Sequence, residues 1–445
     1  MSDLSRIGLL WGRLRQTLWW RPALWSAAAV AAAFASALID AWVPTHWLPT
    51  LPAGVVDDLL RIMATSMLVV STFSLSVLAN GYASAASAGT PRATRLVVAE
   101  PRSQKAVAVF LAAFIFSMVG LIALGTGRYG PAGRMALFVC ALCVLAWVVV
   151  SFMSYIDVLS RIGRVSHTIE TVERTAAQTL RRYARQPLAG ARAAAAPPDD
   201  ARPVMATGTG HVQFVDVPAL QSLADRWDLH VHVAASVGDL VHPKASLAWV
   251  HAAAAGVTAA DRAAQDAKLR EAFVVGPERT FEQDPGYALV VLAEIAQRAL
   301  SPAVNDPGTA IAVLGSQTRL LIETLSVPQD TEAEVCDRVT AVAASPEALV
   351  AMAYEPIARC STDQFDVMVQ LLRHLDALVA NAPPAVRTAV QELVQRTLAR
   401  AARAGADAAD LVAWEREARA LGLAPAAGSA AAAETGAATT PVPRR

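Results

Sequence analysis

The residues best suited to chemistry crowd one stretch, Arg279–Thr309, which reads RTFEQDPGYALVVLAEIAQRALSPAVNDPGT. It contains Asp284-Pro285 and Asp306-Pro307, two copies of one device. Aspartate accepts hydrogen bonds from the free N–H groups at a helix start, and proline loses nothing at the first helical position. The spacing predicts helices over about Pro285–Leu300 and Pro307–Leu325, with Ser301–Asn305 as the corner between them. Two helix N-termini aimed at one corner would make an anion site, because their partial positive charge and free N–H groups suit a phosphate. On that reading Arg279, Asp284, Arg298, Ser301, Asn305 and Asp306 bind a small anionic ligand. The competing reading is structural: both aspartates cap helices and both arginines pair with carboxylates. A filled cap and a bound anion would compete for the same N–H groups.

A second set of polar residues lies in an apolar segment. Thr65, Thr72, Ser76 and Asn80 recur on one helical face. They could line a pore, or they could pack helices together through hydroxyls. The other candidates are weaker. Cys140 and Cys143 form a C-x-x-C inside an apolar helix with no further soft ligand nearby, and Cys336 and Cys360 read as reduced core thiols. His230, His232, His242 and His251 cluster without a carboxylate or cysteine at metal-site spacing. G-x-S-x-G, Walker A, H-E-x-x-H and post-strand G-x-G-x-x-G motifs are absent. The sequence therefore nominates no catalytic residue, no metal site and no cofactor.

The elements that hold these residues fall into two regimes. In the 445-residue chain, 38 basic and 38 acidic residues cancel, and no basic block suggests nucleic acid. Outside the loops, charges are scarce from Leu24 to Ile156, and from Ser160 onward they are ordinary. Four windows reach the length of roughly 20 apolar residues that a span requires: Leu24–Val43, Leu59–Ala79, Ala106–Leu124 and Met135–Ile156. Trp19, Trp20, Trp25, Trp42 and Trp47 flank the first like interface belts. Ala35-Ser36-Ala37 has the form of a signal cleavage site, but the apolar run continues past it, which favours an uncleaved anchor. Arginine and lysine concentrate before span one, between spans two and three, and after span four, so both termini are expected in the cytoplasm. Charge is nearly absent from the span interiors, which argues against a proton-coupled pump.

Beyond the spans, Ser160–Arg185 reads as a helix continuing span four, with Ile162, Val165, Ile169 and Val172 on one side, and Pro187–Pro203 as a flexible linker. Gly210–Val217, Leu229–Val233, Val237–Val241 and Ser246–His251 alternate or are β-branched and suggest a small β-barrel or sandwich. Ala219–Trp227 between them looks helical. Ser345-Pro346 and the S-x-x-Q capping-box pattern of Ser361–Gln364 predict further helix starts. The last of these would run from about Thr362 to Val379, followed by Ala385–Ala404 and Ala408–Leu421.

The run ALSPAVNDP (Ala299–Pro307), preceded by GPERTFEQD (Gly276–Asp284), resembles a bacterial family of predicted membrane proteins with a domain of unknown function. Phe73-Ser74, Thr90-Pro91-Arg92, Gly210–Asp216 and Val237–Val241 fit the same family. Ala88-Gly89 departs from it, since a serine is expected just before the proline. The resemblance implies four spans and a cytoplasmic domain, and no reaction.

The expected fold is an α-helical membrane protein. Its parts are a cytoplasmic N-terminus (1–23), a four-helix transmembrane domain (24–159), a stalk and linker (160–203), a small β-rich unit (204–257), a helical cytoplasmic domain (258–425) and a disordered tail (426–445). The expected function is a non-enzymatic inner-membrane protein, an oligomeric channel or sensor gated through its cytoplasmic domain. Its expected partners are the lipid bilayer, further copies of itself and a small anionic ligand. The alternatives are a membrane-anchored scaffold and an enzyme using the Arg279–Asp306 cluster.

Overall fold

The computed structural model describes residues 20–38, 52, 54–88, 90–98, 101–127, 129–161, 164–193, 197, 200–252, 258–327 and 336–424. The chain is mostly helical and divides into two compact units, Met1–Thr168 and Ile169–Arg445.

The first unit contains α1 (Trp20–Leu38), α2 (Val55–Ala88), α3 (Pro91–Val98), α4 (Pro101–Gly125) and α5 (Pro131–Arg161). Among the described residues, three segments are long and apolar enough to cross a membrane: Val55–Ser84, Lys105–Gly125 and Pro131–Leu159. The apolar part of α1, Pro22–Ser36, is shorter. The rest of the first expected span, Asp40, Trp42 and Trp47 included, lies outside the described residues, as does Trp19.

α4 packs against α1, α2 and α5. Gly120 permits this, because a Cβ there would stand 3.1 Å from the Leu60 side chain. Leu60, Phe110, Phe116 and Leu137 are fully buried. Two buried phenols find carbonyls: Tyr129 donates to Ala33 O at 2.5 Å and Tyr155 to Ser74 O at 3.0 Å. In a bilayer an unmade bond of this kind costs several kcal/mol, roughly. Much of the outward surface is carbon, with Val69, Phe73 and Val150 about two-thirds exposed, as a lipid-facing surface requires.

The expected single helix from Ser160 is two helices. α5 ends at Arg161, Arg164 is not helical, and α6 runs Val165–Arg185. From Ile169 on, α6 buries Ile169, Val172, Ala176, Leu180 and Ala184, the three-to-four spacing of one helix face. Ile162 lies outside the described residues.

The second unit contains more sheet than expected. β1 (Ala191–Ala193) arises inside the segment read as linker, β2 (Arg202–Met205) starts at its last two residues, and β8 (Cys336–Ala341) lies inside the region read as helical. With β4 (Leu229–Val233) and β6 (Ser246–Ala252) they form one sheet in the order β1-β8-β4-β6-β2. β8 lies parallel to both β1 and β4. A second sheet has the order β5-β3-β7, where β3 is Gly210–Val215, β5 Leu240–Val241 and β7 Phe273–Gly276. α7 (Val217–Trp227) joins β3 to β4, and α8 (Ala259–Arg270) precedes β7. One apolar cluster, including Val212, Leu220, Leu229, Val231, Val250, Leu269 and Val339, unites these elements.

Six helices follow: α9 (Tyr287–Ala299), α10 (Pro307–Ser326), α11 (Pro346–Cys360), α12 (Phe365–Val379), α13 (Pro384–Ala404) and α14 (Ala408–Ala420). α9 packs on α10 and α11, α10 on α12, and α11 on α13. The capping box expected at Ser361–Gln364 does not form. Ser361 ends α11 and donates to Ala358 O, while Gln364 Nε2 reaches Asn305 Oδ1 at 3.4 Å, so α12 starts at Phe365.

Candidate ligand site

The segment Arg279–Asp284 is a loop leading into α9, and its centre is a buried ion pair. Arg279 Nε donates to Asp284 Oδ2 at 2.7 Å and Nη2 to Oδ1 at 2.9 Å. The Asp284 side chain is 2% exposed. Its Oδ1 also accepts from Gly286 N at 3.1 Å and Tyr287 N at 3.0 Å, so this carboxylate holds the start of α9 from two residues before the cap. The Arg279 guanidinium stands 5.1 Å from the centre of the Tyr287 ring, within cation–π range. A forked pair with both carboxylate oxygens hydrogen-bonded is the arrangement in which a buried charge is tolerated.

The turn Val237–Asp239 closes over this pair. Gly238 has φ +97°, and a Cβ there would lie 2.5 Å from Asp284 Oδ2 and 3.1 Å from Arg279 Nη2. Glycine is required twice over, for its backbone angle and for the space. Gly238 N donates to Val212 O at 2.8 Å, and His211 Nδ1 lies 3.0 Å from Gly238 O. Two motifs far apart in sequence are thus one structure.

Asp306 behaves as a plain cap. Its side chain accepts from Thr309 N at 3.1 Å and Thr309 Oγ1 at 2.6 Å, and these bonds hold its carboxyl below the ordinary aspartate range. Asn305 occupies left-handed backbone at φ +48°, Ser301 Oγ donates to Arg298 O at 2.7 Å, and Arg298 is exposed. The two aspartates do not share a corner. Asp284 lies before the first turn of α9 and Ser301–Asp306 after its last; 13 residues of helix separate them by about 20 Å. A single anion pocket built from both N-termini is therefore excluded, and an anion at α10 would have to displace Asp306.

A concave feature of the second unit lies elsewhere, beside the loop that carries Asp284. A cavity of about 330 Å³ is walled by α6 (Thr179, Arg182, Tyr183), the ends of β3 and β4 (Val215, Val233), the start of α7 (Val217, Pro218), the loop after β8 (Val342, Ala344) and the loop residues Glu282, Gln283 and Pro285. It opens at the carboxyl ends of the parallel neighbours β4 and β8 and at the N-terminus of the helix preceding β4. Ligands of α/β folds collect at such places. Its size falls within the range of small-molecule pockets.

α6 is fastened to this wall. Thr179 Oγ1 donates to Phe281 O at 2.6 Å, Arg182 Nη1 to Glu282 O at 2.9 Å, and Tyr183 Oη to Ala344 O. Gln283 uses its amide as a strand would, accepting from Val215 N at 2.9 Å and donating to Val215 O at 3.2 Å. A second fastening joins α6 to α10: Arg319 forks onto Glu173 at 2.9 and 2.8 Å, and Ser316 Oγ donates to Glu173 at 2.7 Å. Burial pushes the Glu173 carboxyl up, but the bonds from Arg319 and Ser316 outweigh it and the net displacement is downward. Behind Arg319, Thr318 Oγ1 bridges Tyr354 Oη (2.7 Å) and His374 Nδ1 (3.1 Å). Burial, aided by the Arg319 charge, lowers the His374 pKa.

In the first unit, Thr65, Thr72, Ser76 and Asn80 are all on the exposed face of α2. Thr65 and Thr72 donate to carbonyls of their own helix, Arg61 O at 3.0 Å and Leu68 O at 2.9 Å. Such hydroxyls are satisfied without a pore. Among the described residues no three His, Cys, Asp or Glu side chains group as a metal site. His230 and His251 pair across β4 and β6, while buried His232 bonds Thr340 Oγ1 at 3.0 Å.

Relatives give a family without a reaction. Uncharacterized proteins of Mycobacterium bovis and Mycobacterium tuberculosis are each 28% identical over 352 residues, which covers 76% of this chain. The chain spans 66% of their length, just under two thirds. No solved structure matches it. The family model described as "Predicted membrane protein (DUF2254)" matches residues 15–377. The chain, with its apolar helices and its loop-bound second unit, belongs to this family of predicted membrane proteins.

Proposed function

We propose that the protein is a non-enzymatic, multi-pass inner-membrane sensor whose second unit binds a small molecule in the α6–α7 cavity and biases the spans through α6. One observation carries this reading: α6, the helix that follows the last span in sequence, itself supplies Thr179, Arg182 and Tyr183 to the cavity wall. A ligand touching that wall acts on the helix that follows the last span in the chain after a break at Arg164. The reading includes four spans, with α1 as the first, and both termini in the cytoplasm by the arginine distribution.

The concrete form is an oligomeric channel in which copies meet through α2. In favour is the exposed row Thr65, Thr72, Ser76 and Asn80, polar residues better suited to line an aqueous path between copies than to face hydrocarbon. With Cys140 and Cys143 replaced by alanine, Thr72→Cys and Ser76→Cys should react with a membrane-impermeant thiol reagent in intact membranes. Complete protection of both positions would end the channel form.

A further inference from the structure

We infer that the α6–α7 cavity takes an amphipathic molecule with an unbranched apolar chain of about ten carbons, held tail-inward with its polar end at the mouth. The inference rests on the proposed sensor reading for its consequence, but on the cavity's own chemistry for its ligand class.

The inner wall offers carbon. Val215, Val217 and Val233 are buried, and Leu188, Val237 and Pro285 are partly so. The polar side chains deeper in the wall are already engaged with backbone: Thr179 on Phe281 O, Tyr183 on Ala344 O, and both ends of the Gln283 amide on Val215. A polar ligand entering here would be stripped of water and find no partner, at a cost of about 1–3 kcal/mol for each such group. An apolar chain loses nothing and gains the burial of its surface. The remaining polar lining residues, Arg182, Gln186, Ser236 and Glu282, are all exposed. With the exposed Val342 and Pro218 they frame the opening, so the exposed polar side chains of the lining gather at the mouth, the complement of an amphipath. At about 30 Å³ for each small group, 330 Å³ accommodates roughly a dozen non-hydrogen atoms. That suits a ten-carbon chain with its head near the opening.

The test uses the full chain in phospholipid nanodiscs, free of detergent, with diazirine-bearing decanoate and decanol as photoaffinity probes and peptide mapping as readout. The account expects saturable labelling within 179–189, 215–218 or 341–344. Tenfold excess unlabelled decanol should compete it away, and Val342→Trp, which fills the mouth from an exposed position, should cut it at least fivefold. Equal labelling by both probes would mean that the tail alone is read, and a preference for decanoate that Arg182 adds recognition. Both outcomes support the class. Labelling confined to residues 20–161, or unchanged by Val342→Trp, overturns it. A water-soluble thiol probe on the spans separates the two claims. If Val342→Trp still alters Ser76→Cys reactivity while no lipophile labels the cavity, the ligand class falls and the sensor reading stands.

Discussion

Arg279 grips Asp284 with two parallel hydrogen bonds across a loop of only four intervening residues, and the carboxylate so held also binds the first amides of α9. One residue pair thereby holds the start of the helix and the seat for Gly238.

Asp284→Asn removes the charge that Arg279 balances inside the protein. Breaking one side of a buried pair costs about 3–5 kcal/mol, whereas Asp306→Asn at a half-buried cap leaves a residue that still caps a helix and costs well under about 1 kcal/mol. Thermal unfolding of the second unit should show the midpoint of Asp284→Asn far below that of Asp306→Asn. Equal midpoints would mean that the two Asp-Pro pairs are equivalent after all.

Gly238→Ala should be worse than Gly405→Ala. Both positions have left-handed backbone, at φ +97° and +81°, but a Cβ at Gly405 meets nothing within 4 Å. Gly405→Ala should cost about 1–2 kcal/mol for the backbone alone. Gly238→Ala adds the clash with Asp284, so its excess over Gly405→Ala in chemical denaturation measures that contact.

His374 and His232 are both displaced downward by burial. The unfolded chain therefore takes up protons near the ordinary histidine value of about 6.5 while the folded chain does not. Stability from these groups is full above that value and falls as the pH drops from about 7 towards the folded pKa values. His374→Gln with His232→Gln should flatten the fall in unfolding midpoint across that window. An unchanged slope would assign it to other groups.

Glu173→Gln should loosen α6 without unfolding the second unit. The Arg319 fork and the Ser316 bond would lose their charge, and amide exchange within 169–185 should accelerate severalfold while α9 and α11 keep their protection. Equal acceleration everywhere would show that the contact is part of the global fold rather than a local fastening.

Much of the helical architecture was legible. Apolar runs gave the segments that became α2, α4 and α5, and Asp306-Pro307 and Ser345-Pro346 start helices where the capping rule puts them. Local signals failed where distant partners decide. β8 is a strand because β1 and β4 flank it, some 140 and 110 residues upstream. Asp284-Pro285 looked identical to Asp306-Pro307, and only the fold brings Arg279 and Gly238 onto it. The cavity was invisible for the same reason, since its wall draws on α6, β3, β4, α7 and the loop after β8. Its trace in the sequence was faint: Thr179, Arg182 and Tyr183 recur on one side of a helix whose apolar face is otherwise complete.

The central claim is that occupancy of the cavity is felt by the spans. The direct measurement places Val342→Trp in the full chain carrying Ser76→Cys, with Cys140 and Cys143 replaced by alanine, and compares thiol-labelling rates at position 76 in intact membranes. The indole stops the mouth and shuts the cavity to its ligand, so a labelling rate changed at least threefold is expected with the unfolding midpoint preserved. Identical rates in a folded variant would contradict it.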